Sequence, residues 1–155
     1  MKKKNEIGLA VLLAGIAAVA GWFILRAWVW VSEEIFGINL VENGEQVISD
    51  REIASYNRTS HEIRLTEEGA RKIEALSFEV PVYGKPFVVK LSGREIYNGS
   101  FWSPISSAPP PGIAIGTFVQ GNTIRITNLE SLQGVDPRNN SEIFDHFERA
   151  ARLTQ

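Results

Sequence analysis

The chain of 155 residues has no cysteine, and this absence excludes several kinds of site. Disulfide frameworks, thiolate zinc sites, iron–sulfur clusters and thiol catalysis all require cysteine. Histidine is also scarce, since only His61 and His146 occur. The HExxH, GxSxG, P-loop and GxGxxG patterns are missing as well. We therefore predict no catalytic, cofactor or metal-binding residues and expect a protein that is not an enzyme.

Positive charge is scarce beyond the first few residues, which limits the class of partner. Residues 32–155 carry 12 basic and 17 acidic side chains, a formal charge of −5, whereas residues 1–31 carry +3. Nucleic-acid binding needs clustered Lys and Arg for phosphate contacts. We therefore predict no nucleic-acid partner.

A long uncharged run stands near the N-terminus, over residues 7–25. As a helix it would be about 28 Å long, close to the roughly 30 Å hydrocarbon core of a bilayer. An arginine and three tryptophans follow where headgroups would lie, as is typical of an interfacial anchor. They are Trp22, Arg26, Trp28 and Trp30. The sequence predicts a transmembrane helix over residues 7–31, with the lipid bilayer as one partner.

The flanking charges predict the orientation of this helix. Lys2, Lys3 and Lys4 precede it and acidic residues follow it, so residues 1–6 would be a cytoplasmic tail. We expect a single-pass protein of the cell inner (cytoplasmic) membrane with an extracytoplasmic C-terminal domain. The alternative is a signal peptide cleaved after Ala20, where the residues have small-x-small form. The apolar run continues well beyond that point, which favours a retained anchor.

The remaining sequence predicts a stalk over residues 32–57 and an α+β domain over residues 58–155. Alternating apolar residues predict a strand over residues 61–65, and Thr66 is expected to cap a helix with an acidic first turn. The turn at Ser92-Gly93 predicts a hairpin. Further predicted elements are strands over 113–119 and 123–127, and a helix from Asn140 or Ser141 to about Leu153 with Ile143, Phe144, Phe147, Ala150 and Ala151 inward. This order favours a small sheet with helices on one face.

Part of this domain resembles a known family. Residues 61–72 are similar to the segment "strand, threonine, glutamate, glycine, alanine, helix" in the large periplasmic domain of SecD-type protein-export membrane subunits. Residues 84–97 resemble that family's glycine-lysine strand and hairpin, and Ser103-Pro104-Ile105 and residues 112–118 resemble the steps that follow. The likeness covers about residues 61–118.

The resemblance implies a shared domain fold and contact with exported polypeptides. It does not imply a pump, because the family has six membrane helices and intramembrane acidic residues. This chain has one predicted helix, with no acidic residue in residues 7–25. Ser92 also stands where the family has an aspartate.

The loop over residues 98–112 holds the candidate partner-binding residues, which are large apolar side chains and prolines. They are Phe101, Trp102, Ile105, Pro109, Pro110 and Pro111. Two interpretations remain open for this loop. It could fold back as a lid over the core, or it could present a binding surface.

We expect a membrane-anchored extracytoplasmic interaction domain, which would be an accessory subunit or assembly factor of an envelope membrane complex. Other membrane protein subunits would be its partners. One alternative is a receptor-like module that binds a ligand or peptide beneath the loop over residues 98–112. The other is a membrane-anchored hydrolase that uses Ser103 or Ser106.

Overall fold

A computed structural model describes residues 36–129 and 134–155. The predicted transmembrane segment, including its four interface residues, lies outside these residues. Among the described residues, no helix has the length and apolar character needed to cross a membrane.

The described chain forms a mostly β half-barrel with two short helices, so the predicted α+β fold class with a small sheet is wrong. Nine strands form one sheet, in the order β2-β1-β5-β6-β7-β8-β4-β3-β9. Neighbouring strands are antiparallel except for the β6–β7 and β3–β9 pairs, which are parallel. The strands are β1 (Phe36–Leu40), β2 (Gln46–Ser49), β3 (Ile53–Asn57), β4 (Glu62–Leu65), β5 (Lys85–Leu91), β6 (Arg94–Trp102), β7 (Ile113–Gly116), β8 (Thr123–Asn128) and β9 (Leu153–Thr154).

The two α-helices are α1 (Glu67–Ser77) and α2 (Ser141–Arg149), and 3-10 helices cover Asp50–Glu52 and Pro137–Asn139. Helix α2 shows how strongly the sheet curls. The ring of its Phe147 lies 5.1 Å from the ring of Phe36 in β1 and 5.2 Å from the ring of Tyr56 in β3. These strands stand near opposite ends of the strand order, so both must bend towards the same helix.

Several local predictions agree with the structure because their signals are local. Thr66 caps α1 by accepting a hydrogen bond from the Gly69 amide, and Glu67 and Glu68 form the acidic first turn as expected. Ser92 and Gly93 both have positive φ, as the tight turn between β5 and β6 requires. The 113–127 hairpin is present as β7 and β8.

Other elements differ from the sequence-based expectation. Residues 36–57, which we expected in a stalk, form β1, β2 and β3 within the core. Strand β6 runs on to Trp102, where a loop was expected from residue 98. Helix α2 ends at Arg149, not near Leu153, so Ala150 and Ala151 are exposed and Leu153 belongs to β9. Pairing between distant segments, as in β1 with β5 and β3 with β9, explains most of these differences, because such partners give no local signal. The end of α2 is instead set locally, where Ala151 has positive φ.

Candidate functional site

The predicted partner-binding residues lie in three different environments. Phe101 is fully buried, and its ring packs 5.0 Å from the ring of Phe87 in the core. Its side chain is therefore part of the domain interior. Trp102 is the last residue of β6, and the other four residues follow it along the crossover that joins the parallel strands β6 and β7.

Trp102 and Ile105 lie where β6 ends. The Trp102 ring lies against Gly84, where an added Cβ would come within 2.7 Å of the ring. The Trp102 indole N–H donates to the Ala108 carbonyl at 3.2 Å, which fixes the ring across its own loop. Ile105 stays 80% exposed. The loop therefore does not hold Ile105 down as a lid over the core.

The three prolines lie farther along the crossover, towards the start of β7. Pro109 and Pro111 are exposed, and Pro110 is partly covered. Pro111 also borders a cleft of about 530 Å³ beside Tyr97 and Gly112. Gly99, in the same strand as Tyr97, allows β6 to lie close to Ile113 at the start of β7. A Cβ added at Gly99 would lie 2.6 Å from the Ile113 carbonyl oxygen.

Further exposed apolar residues gather at the sheet end where Trp102 lies. Strands β1, β6 and β7 end there and β5 begins there, because β5 is antiparallel to β1 and β6 while β7 is parallel to β6. The loops at this end carry six large apolar side chains, which we call the apolar rim. The rim consists of Val41, Val82, Tyr83, Trp102, Ile105 and Phe118.

Backbone contacts link the loops of the apolar rim. The Val41 amide donates to the Pro86 carbonyl at 3.1 Å, and the Thr117 amide donates to the Trp102 carbonyl at 3.1 Å. With Gly84 under the Trp102 ring, these contacts connect the ends of four neighbouring strands. Sequence reasoning found only Trp102 and Ile105 of this rim. The others, Val41, Val82, Tyr83 and Phe118, fall in three separate segments of the sequence, and only the topology brings these segments to one end of the sheet.

The charges beside Val41 and Val82 of the apolar rim are mainly negative, whereas beside Phe118 the arginine Arg125 is paired with Glu62. Lys85, at the start of β5, lies 3.0 Å from Glu42 and 3.4 Å from Glu79. The Lys85 side chain is only 12% exposed, whereas those of Glu42 and Glu79 are 58% and 67% exposed. Hydrogen bonding to Glu42 raises the pKa of Lys85, so the lysine remains charged. Solvent therefore meets two carboxylates, with the ammonium largely covered.

A cluster of polar side chains lies largely inside the half-barrel, apart from the apolar rim. The Tyr56 hydroxyl lies 3.1 Å from His61 Nδ1, and burial lowers the pKa of His61. The buried Tyr97 hydroxyl has no hydrogen-bond partner among the described residues, and burial raises its pKa well above the usual value. Nearby, Arg138 binds Asp136 and donates to the Ile126 carbonyl at 2.6 Å. The Tyr56–His61 contact therefore links β3 to the residue before β4, and Arg138 links its 3-10 helix to β8.

The other histidine ties the C-terminal segment to the start of β1. His146 Nε2 lies 2.7 Å from Asp50 Oδ1, and Arg152 donates to the same oxygen at 2.9 Å. The other oxygen of Asp50 accepts the Phe36 amide at 2.8 Å. This cluster is a structural connection, because each group is bonded to another part of the same domain.

The hydrolase alternative depends on the surroundings of Ser103 and Ser106. No hydrogen bond joins Ser103 or Ser106 to a histidine or carboxylate among the described residues, and the Ser106 hydroxyl instead donates to the Ala108 carbonyl. Over the same residues, no group of three or more His, Asp or Glu side chains could hold a metal ion. The apolar rim is thus the candidate functional site that the geometry favours.

Comparison with known proteins adds no assignment, since no family model, curated protein or solved structure matches this chain.

Proposed function

We propose that this chain is a membrane-anchored, extracytoplasmic interaction domain that binds a protein partner through the apolar rim. It would serve as an accessory subunit or assembly factor of an envelope membrane complex. The predicted segment over residues 7–31 supports the anchor, and the flanking charges support the orientation. The likeness to SecD-type subunits favours a partner that is an exported polypeptide or a membrane protein subunit.

One observation carries this proposal, which is the concentration of exposed apolar residues at one end of the sheet. Tyr83 and Ile105 are 79% and 80% exposed, and they lie at the same end of the sheet as Phe118 and Trp102. Single exposed apolar residues are ordinary, but contiguous patches mark protein–protein interfaces. Aromatic residues are also over-represented among the residues that dominate binding energy.

The charge of the domain favours a protein over lipid as the partner of the apolar rim. Residues 32–155 carry a formal charge of −5, which disfavours contact with anionic headgroups.

Substitution of a rim residue tests the proposal when a matched control is included. We expect Ile105→Asp to abolish copurification of the partner from native membranes, because the new carboxylate would lose its water at a position where the partner presents apolar side chains. Val135→Asp makes the same kind of change at a residue that is 96% exposed, beside the opposite end of the sheet. It should leave copurification unchanged.

The proposal fails if the full-length protein purifies without a reproducible partner. It also fails if Ile105→Asp and Val135→Asp have the same effect. A thermal melt of each variant shows whether the fold is retained, and both should melt within a few degrees of the unsubstituted protein, since surface changes cost roughly 0.5 kcal/mol or less.

A further inference from the structure

The charges beside the apolar rim indicate the chemistry of its partner. We propose that the apolar rim binds an apolar polypeptide segment that carries lysine or arginine, whose basic side chains meet Glu42 and Glu79. This inference rests on the proposed function, because it specifies the partner of the same surface.

The exposed charges around Lys85 are unbalanced. Its ammonium faces two carboxylates, and only the carboxylates are substantially exposed. Glu45 adds a further exposed acidic residue in the loop after β1. A partner approaching this side of the rim therefore meets a net negative potential beside apolar side chains.

The neighbouring cation, Lys72, is more exposed than Lys85. Lys72 in α1 lies 2.8 Å from Glu52, and its side chain is 41% exposed whereas that of Glu52 is almost fully covered. Lys72 borders a groove of about 320 Å³ between α1 and β2, which Glu45 and Glu79 also line. Three exposed carboxylates, those of Glu42, Glu45 and Glu79, therefore outnumber the two ammonium groups on this side.

This arrangement of charges would make binding to the apolar rim selective. Complementary charge at the edge of an interface steers association and rejects partners of the wrong sign, and like charges placed together are costly. Apolar contact at Tyr83, Ile105 and Phe118 would supply affinity without regard to sequence. The adjacent carboxylates would then discriminate between apolar segments by their charge.

Three synthetic peptides test the inference with the full-length protein in detergent. Each has 12 residues with the same alternating leucine and serine pattern, and they differ in carrying two lysines, two glutamines or two glutamates. Fluorescence anisotropy measures their binding at low and high salt. We expect the lysine peptide to bind about three- to tenfold more tightly than the glutamine peptide at low salt, the range that one or two exposed ion pairs supply. The glutamate peptide should bind most weakly.

Substitutions then assign the preference to particular groups. The double variant Glu42→Gln, Glu79→Gln should remove the advantage of the lysine peptide and leave binding of the glutamine peptide unchanged. The matched double variant Glu95→Gln, Glu148→Gln neutralises two exposed carboxylates away from the rim and should change nothing. Lys85→Met tests the opposite direction, because removing the covered ammonium should strengthen binding of the lysine peptide.

The possible failures are distinguishable. Equal binding of all three peptides, lost in Ile105→Asp, would overturn the charge preference and leave the proposed function standing. An equal effect of the two double variants would also overturn it. If no peptide binds, this inference is wrong, and copurification with the Ile105→Asp and Val135→Asp variants decides the proposed function separately.

Discussion

Replacing Tyr97 with phenylalanine should stabilise this domain. The Tyr97 hydroxyl is buried and has no hydrogen-bond partner among the described residues. A hydroxyl buried without a partner costs about 1–3 kcal/mol in mutational data. Phenylalanine keeps the ring and removes the polar atom, so we expect the free energy of unfolding to rise by about 1–2 kcal/mol. For a domain of this size, that gain corresponds to a rise in Tm of roughly 5–10 °C.

Urea unfolding of the full-length protein in detergent, followed by far-UV circular dichroism, measures the effect. The midpoint should rise while the slope with denaturant stays constant. Tyr56→Phe is the matched control, because the same atom is removed where it is bonded to His61. That variant should lose about 1 kcal/mol. A loss of stability in Tyr97→Phe equal to that in Tyr56→Phe would refute the reasoning, since it would mean that the Tyr97 hydroxyl is paired.

Three other predictions concern the residues that hold the fold. Hydrogen bonding to Arg138 lowers the pKa of Asp136 to about 2 from an ordinary 3.8. This pair therefore adds about 2 kcal/mol to the free energy of unfolding above roughly pH 4, and the contribution is lost as the pH falls towards 2. Asp136→Asn should flatten the acid limb of a curve of stability against pH. Asp50→Ala should cost about 3 kcal/mol in urea unfolding, because the groups it pairs with would stay largely buried; a loss below 1 kcal/mol would contradict this. Gly84→Ala should cost about 1–3 kcal/mol and move the Trp102 ring, since Gly84 has φ +87°; an unchanged indole N–H resonance would argue against it.

The elements that could be predicted from sequence are those with a local cause. The Thr66 cap depends on a side chain and an amide three residues apart, and the Ser92-Gly93 turn depends on two adjacent residues with positive φ. Strand β1 has no comparable signal. It is buried because β2 and β5 flank it, and β5 lies about 50 residues away in the sequence.

The candidate site could be predicted only in part for the same reason. Trp102 and Ile105 stand out because they lie in a proline-rich loop with other apolar residues. Val41 and Phe118 lie in distant segments of the sequence, and they join the apolar rim only because β1, β6 and β7 end at the same end of the sheet. The burial of Phe101 likewise depends on Phe87, which belongs to the neighbouring strand.

Site-specific photocrosslinking in intact cells tests the central claim most directly. A photoreactive amino acid is placed at Tyr83, Ile105 or Val135, and the crosslinked protein is identified by mass spectrometry and confirmed by reciprocal purification. The account predicts that Tyr83 and Ile105 crosslink to the same protein and that Val135, beside the opposite end of the sheet, does not. Crosslinking of that protein from Val135 alone, with none from Tyr83 or Ile105, would contradict it.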